Sequence, residues 1–270
     1  MKATEMPVYK PTASCIWKSF QNSGKKKLVL IGEKENERNN LLGEILKINK
    51  FNKESIISIK ENFSGENIFV VDLDNPYGKT GCIIMASGKS TRFGENKLLA
   101  DFGSKTLIQW ILNASDGIFS KRVVVTVHKE IEKLCKEQNI PVILHSFPYR
   151  NDVIRLGIEA MENQIERCVF FPADQPLIKT ETIAALILSA NNNPDFIWRP
   201  CCNDVVGSPV VFPKKYFEEL KSLPEGKGGN TVVSRYKDKV RTFSVSDINE
   251  LKDIDTKEDM QKLIKTLGFK

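Results

Sequence analysis

The sequence predicts an α/β fold with a mostly parallel sheet. Three observations predict it. Short apolar runs that read as strands alternate with longer runs that read as helices over nearly the whole chain. Two of the strands, "CIIMA" (82–86) and "RCVFFPA" (167–173), are apolar almost without interruption, as strands covered on both faces are. The composition, 41% hydrophobic and 27% charged, is that of an ordinary globular protein.

In chain order, "KLVLIG" (27–32) reads as a strand, "NNLLGEILK" (39–47) as a helix and "NIFVVDLD" (67–74) as a second strand. The turn-rich "NPYGKTG" (75–81) then breaks the pattern, so a boundary is placed here, with a small α/β N-terminal region over 1–78 and a larger domain over 79–270. After the strand at 82 come a loop, a helix (104–114) and a strand (122–128). A helix "KEIEKLCKEQ", a short strand (141–145) and a helix from Asp152 to about Gln164 follow. The strand at 167–173 leads to a helix (180–190), strands "FIWRP", "GSPVVF" (207–212) and "KVRTFSV" (239–245), and a last helix. Thr256 suits the N-cap of that helix, with Glu258 and Asp259 favourable in its first turn.

At 270 residues the chain suffices for one large domain or a medium and a small one. No apolar run is long enough to span a bilayer, and the start lacks an apolar signal region, so a cytoplasmic protein with no membrane partner is expected. The net charge of +6 is spread among mixed Lys and Glu, and aromatics do not alternate with basic residues, which argues against a nucleic-acid platform. The six cysteines form no CxxC pair and read as reduced structural thiols. His128 and His145 read as packing or surface residues.

"CIIMASGKSTRFGENKLL" (82–99) carries the chemistry. Gly88-Lys89-Ser90 looks like the end of a P-loop, but that motif needs a glycine five places earlier, where Ile83 lies inside the strand. What remains is a strand followed by a loop bearing Gly88, Ser90, Arg92, Gly94 and Lys97. Glycines let backbone N–H groups approach an anion, Arg92 offers a planar fork and Lys97 a point charge. A cation-lined loop at the C-terminal end of a first strand is where α/β sheets bind nucleotides.

This stretch resembles the signature of the MobA/MocA-like nucleotidyltransferases, roughly L-A-[AG]-G-x-S-x-R-M-G-x-x-K-x-L-L. Ala86, Gly88, Ser90, Arg92, Gly94, Lys97, Leu98 and Leu99 match in register, and Met85, Ser87 and Phe93 depart. "VFFPADQPLI" (169–178) resembles the family's GDQPL block, "RNDVIRLGIEA" (150–160) its S-[DE]-x-[IV]-R-x-G-[IL] and "GSPVVF" its G-[HN]-P-V-x-F. "LKDIDTKED" (251–259) resembles L-x-D-I-D-T-P-E-D, with Lys257 for Pro. "GKGGN" (226–230) departs more from the usual G-D-x-G-A-R.

The resemblance implies a Rossmann-like three-layer nucleotidyltransferase domain. It implies transfer of a nucleotide from an NTP, with loss of pyrophosphate, by a protein that positions reactants and neutralises charge. Arg92, Lys97 and Asp174 are then the catalytic candidates. Ala86, Ser87, Gly88, Ser90, Arg92, Lys97, Pro172 and Asp174 are candidates for the nucleotide, and Asn151, Asp152, Arg155 and Gln175 for the acceptor. Asp174 and Asp255, both expected at strand ends, are candidates to hold Mg²⁺, a hard cation that wants oxygen ligands. On the residues alone, Asp152 and Arg155 lie a turn apart and suit an ion pair. The branch resembled implies CTP as substrate and the terminal phosphate of molybdopterin or molybdenum cofactor as acceptor, with an apo molybdenum hydroxylase as a possible partner. A guanylyl or sugar-phosphate transferase, or a non-catalytic cofactor-delivery protein, stays open.

"KKLVLIGEKENERNNLLGEIL" (26–46) has a strand–loop–helix layout, but Glu37-Arg38-Asn39 stand where a P-loop beginning at Gly32 would need Gly-Lys-[ST]. A small docking module is expected there ahead of a vestigial nucleotide-binding domain, and an active NTPase is not expected.

Overall fold

The structure, a computed structural model, describes residues 15–22, 25–32, 68–72 and 77–268. Strands β1 (Cys15–Asn22), β2 (Lys25–Gly32) and β3 (Ile68–Asp72) form an antiparallel sheet in that order, with Trp17 opposite Leu30 and Val29 opposite Val70. The strands expected at 27–32 and 67–74 are β2 and β3; β1 was not foreseen. The helix expected at 39–47 and the loop after Gly32 lie outside the described residues.

From Thr80 the chain alternates as expected. β4 (Thr80–Ala86) leads through a hairpin, β5 (Asp101–Phe102) and β6 (Lys105–Thr106), to α1 (Leu107–Ala114). Then come β7 (Lys121–Thr126), α2 (Lys129–Glu137), β8 (Val142–Leu144), α3 (Arg150–Glu159), β9 (Arg167–Pro172) and α4 (Thr180–Asn192). The remainder is β10 (Ile197–Cys202), β11 (Val205–Val206), β12 (Val210–Pro213), α5 (Phe217–Lys221), α6 (Asn230–Arg235), β13 (Val240–Ser244) and α7 (Lys257–Leu267).

These strands build an eight-stranded sheet of order β11-β10-β12-β9-β4-β7-β8, with β13 beside β10. β8, β7, β4 and β9 are mutually parallel, while β12 runs antiparallel to both β9 and β10. The side-chain alternation of a strand sends Ile83 and Ile84 of β4 to opposite faces, and each anchors its own core. Ile84 packs with Ile108 and Ile111 of α1, Ile131 of α2 and Ile187 of α4. Ile83 packs with Val153 and Ile158 of α3, Leu220 of α5 and Val232 of α6. The expected three layers are therefore present, helices on both faces of one sheet.

Two boundaries differ from expectation. The helix expected from Ser104 starts at Leu107, because 101–106 fold into the β5–β6 hairpin and Gln109 Oε1 accepts from the Thr106 N–H and hydroxyl, at 2.9 and 3.0 Å. α3 spans 150–159, not 152–164.

The chain leaves β4 for β7 on one side, then returns across the sheet to place β9 on the other. At such a reversal the connections after the two central strands diverge and leave a crevice at their C-terminal ends. The loop after β4 and the turn after β9 both open there.

Candidate active site

The loop after β4 is shaped by its own sequence. The Ser90 carbonyl accepts from the Phe93 and Gly94 N–H groups at 2.9 and 3.2 Å. Gly94 has φ of +84°, a left-handed conformation that a side chain would strain. Phe93 is buried, with Phe102, Leu107, Ile254 and Leu263, and roots the loop in a small third core beneath α7. Asn96 caps the 3₁₀ turn Lys97–Leu99, which carries Lys97 back under the sheet edge. The Ser90 hydroxyl accepts from the Lys97 N–H at 3.3 Å.

Lys97 is 6% exposed, and its ammonium makes three bonds: to Asp174 Oδ2 at 2.7 Å, to the Ile254 carbonyl at 2.7 Å and to Asp255 Oδ1 at 3.1 Å. Arg92 Nη2 donates to the other oxygen of Asp255 at 2.8 Å. Four residues that the sequence singled out from three separate segments thus form one cluster of two cations and two carboxylates. Partial burial raises the Asp255 carboxyl, but the hydrogen bond from Lys97 and the charges of Lys97 and Arg92 outweigh it and hold the group below its ordinary value.

Asp174 stands two residues beyond β9, as expected. Asp255 does not end a strand: β13 stops at Ser244, and Asp255 lies in the link before α7. That link is held by other means. Buried Glu250 accepts from the Lys179 ammonium at 2.9 Å and the Thr182 hydroxyl at 2.5 Å, which fixes it to the start of α4. The Ile254 N–H donates to the Asp174 carbonyl at 2.9 Å, and Thr256 with Asp259 forms the capping box that starts α7.

Beside the cluster is a cavity of about 260 Å³, lined by Ser87, Gly88, Lys89, Lys97, Pro172 and Asp174 on one side. The opposite wall is Phe147, Pro148, Tyr149, Arg150 and Val153. Among the expected nucleotide residues, Ala86 is fully buried in β4, Ser90 serves the loop and the exposed Arg92 side chain is turned to Asp255, so these three do not line the cavity.

The expected acceptor residues are placed elsewhere. Asn151 Oδ1 accepts from the Gly226 N–H at 3.0 Å, and Asp152 pairs with Arg155 at 3.4 Å, the helical ion pair that the spacing suits. Gln175 is 3% exposed and donates to the Leu251 carbonyl at 3.3 Å, bracing the link instead of facing the cavity. The reason on α3 is helical phase: Arg150 and Val153, three residues apart, share the face turned to the cavity, and 151, 152 and 155 do not.

The two histidines, read as packing or surface residues, are partly exposed and tie loops together by hydrogen bonds. His128 Nε2 donates to the Gly88 carbonyl at 3.0 Å. His145 Nδ1 accepts from the Phe147 N–H at 3.2 Å, so in the neutral ring Nε2 carries the proton and donates to Ser87 Oγ at 2.9 Å; Ser87 in turn donates to the Val125 carbonyl at 3.1 Å. Burial lowers the His145 imidazole, and so does Arg155, against the opposing charge of Asp152; the net effect is a fall below the ordinary value.

The MobA-like NTP transferase domain matches residues 82–240, more than half of the chain and the whole cavity wall. The chain belongs to this family. A "probable molybdenum cofactor guanylyltransferase" of Aquifex aeolicus is 28% identical over 187 residues, 68% of this chain and 89% of that protein. A protein of the same name from Bacillus cereus (strain Q1) is 29% identical over 117 residues, of which the chain spans 58% of the relative's length. The crystal structure of Rv0371c from Mycobacterium tuberculosis shares the fold, with a TM-score of 0.62, 21% identity and coverage of 70% of this chain and 98% of that one.

Within the MobA-like frame, sequence reasoning missed Lys89, Tyr149 and Arg150 as cavity residues. No local signal marked Arg150: the sequence placed the helix start at Asp152, and only the structure puts Arg150 in the first turn. No helix among the described residues is long and apolar enough to cross a membrane.

Proposed function

We propose that this protein transfers a nucleoside monophosphate from an NTP to the terminal phosphate of molybdenum cofactor, releasing pyrophosphate. The observation that carries the reading is the convergence of Lys97, Arg92, Asp174 and Asp255 in one cluster, of which Lys97 and Asp174 line a cavity at the β4–β9 switch point. The reading places the transfer chemistry in residues 79–270 and gives 1–78 no part in it.

The cavity residues suit a nucleotide. A side chain at Gly88 would meet no protein atom within 4 Å, so a close approach by a phosphate accounts for glycine there better than packing does. Lys89, Arg150 and the N-terminal turn of α3 add positive potential to the cavity. Phe147, Pro148 and Tyr149 offer apolar surface for a base. Arg92 holds the outer phosphates, and Lys97 neutralises the α-phosphate where charge shifts as the bond to pyrophosphate breaks. The attacking phosphate of the acceptor is already ionised and needs no general base.

The donor set at the cluster suits a hard divalent cation. Two carboxylate oxygens and a backbone carbonyl already surround one positive charge, the Lys97 ammonium. Asp174 and Asp255 would hold Mg²⁺, which supplies charge neutralisation on the phosphate oxygens when bound. Asn151, Asp152, Arg155 and Gln175 have no part in this scheme.

The sequence reading favours CTP. A second reading, GTP, is favoured by the guanylyl name of the A. aeolicus relative. The test incubates the protein with Mg²⁺, molybdenum cofactor and each NTP in turn, and scores pyrophosphate. Release with CTP alone supports the first reading and release with GTP alone the second. Silence with all four would overturn the transferase and favour a delivery partner of a molybdenum hydroxylase.

A further inference from the structure

We propose that the Lys97 ammonium is a built-in occupant of the divalent-cation position, so that metal entry and the hand-over of Lys97 to the nucleotide are a single exchange. The proposal rests on the reading above for the roles of Asp174 and Asp255.

An ammonium has three N–H donors and no acceptor. In Lys97 all three are matched, by Asp174 Oδ2, the Ile254 carbonyl and Asp255 Oδ1, within 2.7 to 3.1 Å. The side chain is 8% exposed, so water does not complete its shell. No N–H remains for a phosphate while these bonds stand. Arg92, the other cation assigned to phosphate, is likewise bonded to Asp255. Asp174 and Asp255 are each paired with a cation from inside the protein, and the neighbouring Asp253 adds a third acidic group that acts on both and on Lys97.

A divalent cation drawn to the same carboxylate oxygens meets the ammonium as a like charge at contact distance. Both cannot stay. Metal alone therefore displaces a buried, fully bonded amine that has no other partner of equal quality. When an NTP enters as well, the displaced amine gains phosphate oxygens in place of the carboxylates it leaves. Metal and nucleotide then bind with positive coupling, and linkage makes the coupling reciprocal. The nucleotide-free protein is correspondingly a weak metal binder.

The test measures Mn²⁺ affinity directly, by the loss of the free-ion paramagnetic resonance signal, on the full chain without nucleotide. The expected result is that Lys97→Met binds Mn²⁺ at least about tenfold tighter than the wild type. The ratio of affinities with and without a non-hydrolysable NTP should shrink in the same variant. Asp255→Asn should bind more weakly than the wild type. Should Lys97→Met fail to fold, Lys97→Gln, whose amide still donates to one carboxylate, is measured in its place, with the same direction expected. Mn²⁺ affinity equal to or below that of the wild type in a folded Lys97 variant overturns the proposal. The transferase reading fails separately: absence of pyrophosphate release leaves this exchange standing, and unchanged Mn²⁺ affinity leaves the transferase standing.

Discussion

Lys97 and Asp174, 77 positions apart, meet at 2.7 Å where the connections from the two central strands diverge. Asp174 is 24% exposed and Asp255 40%, while the amine between them is buried. Removing the charge from Asp174 therefore leaves the amine with its more solvated partner. Asp174→Asn is expected to destabilise the fold by about 1–3 kcal/mol and Asp255→Asn by less, each by leaving a buried donor with a poorer acceptor. Urea midpoints at constant slope give the order; an Asp255 variant less stable than the Asp174 variant would contradict it.

Arg92 is the opposite case. Its side chain is 69% exposed, and its pair with Asp255 is a surface contact contributing less than about 1 kcal/mol. Arg92→Ala should leave the thermal midpoint within about 2 °C of wild type. It should lower kcat/KM for the NTP by roughly 10- to 100-fold, a loss of about 1.4–2.7 kcal/mol. Unchanged kcat/KM would remove Arg92 from the phosphate site.

Gly157 is required by packing. A Cβ there would lie 2.7 Å from three side-chain carbons of Ile83, which is fully buried on β4. Gly157→Ala forces α3 away from the sheet, at a cost of about 1–3 kcal/mol. Because Arg150 and Val153 on the same helix wall the cavity, KM for the NTP should rise as well. Calorimetry and kinetics on one preparation check both.

The neutral His145 ring ties two cavity walls, the loop after β4 and the loop after β8. A proton on Nδ1 would face the Phe147 N–H, so the tie exists only in the neutral form. Asp152 and Arg155 on α3 act on this ring, and Lys89 and Lys129 share its groove. Its folded pKa lies below the ordinary 6.5, so just below that pH the unfolded chain binds a proton the folded one does not. The contribution is complete above pH 6.5 and is lost as pH falls below it. Stability of the wild type between pH 5 and 7.5 should drop more steeply than that of His145→Gln, read as urea midpoints. Parallel curves would mean the ring carries no such load.

Much of this site was legible because its parts sit in short ordered motifs. Lys97 follows a glycine-rich turn at a strand end, and Asp174 follows the apolar run of β9. Asp255 was found through its motif, but its setting was not: no strand reaches it, and buried Glu250 and Gln175 hold its link through bonds to Lys179, Thr182 and Leu251 that no local pattern reveals. Asn151 and Asp152 were chosen in place of Arg150 because neighbouring positions on a helix point about 100° apart, and which of them faces the cavity is set by tertiary packing that the motif does not show. The hydrogen bonds of the histidines were not legible because their partners, Ser87 and Gly88, are 40 or more residues away and meet them only through the parallel order β4-β7-β8. In β1, the apolar residues at 15–17 and 20 follow no period of two, so nothing marked the strand.

The central claim is that Asp174 and Asp255 act together at one transfer site. The most direct measurement is acceptor-dependent pyrophosphate release by Asp174→Asn and Asp255→Asn beside the wild type, with the nucleotide that the wild type uses. The account predicts turnover reduced by about 100-fold or more in each, with the fold intact. Wild-type turnover in either variant would contradict it.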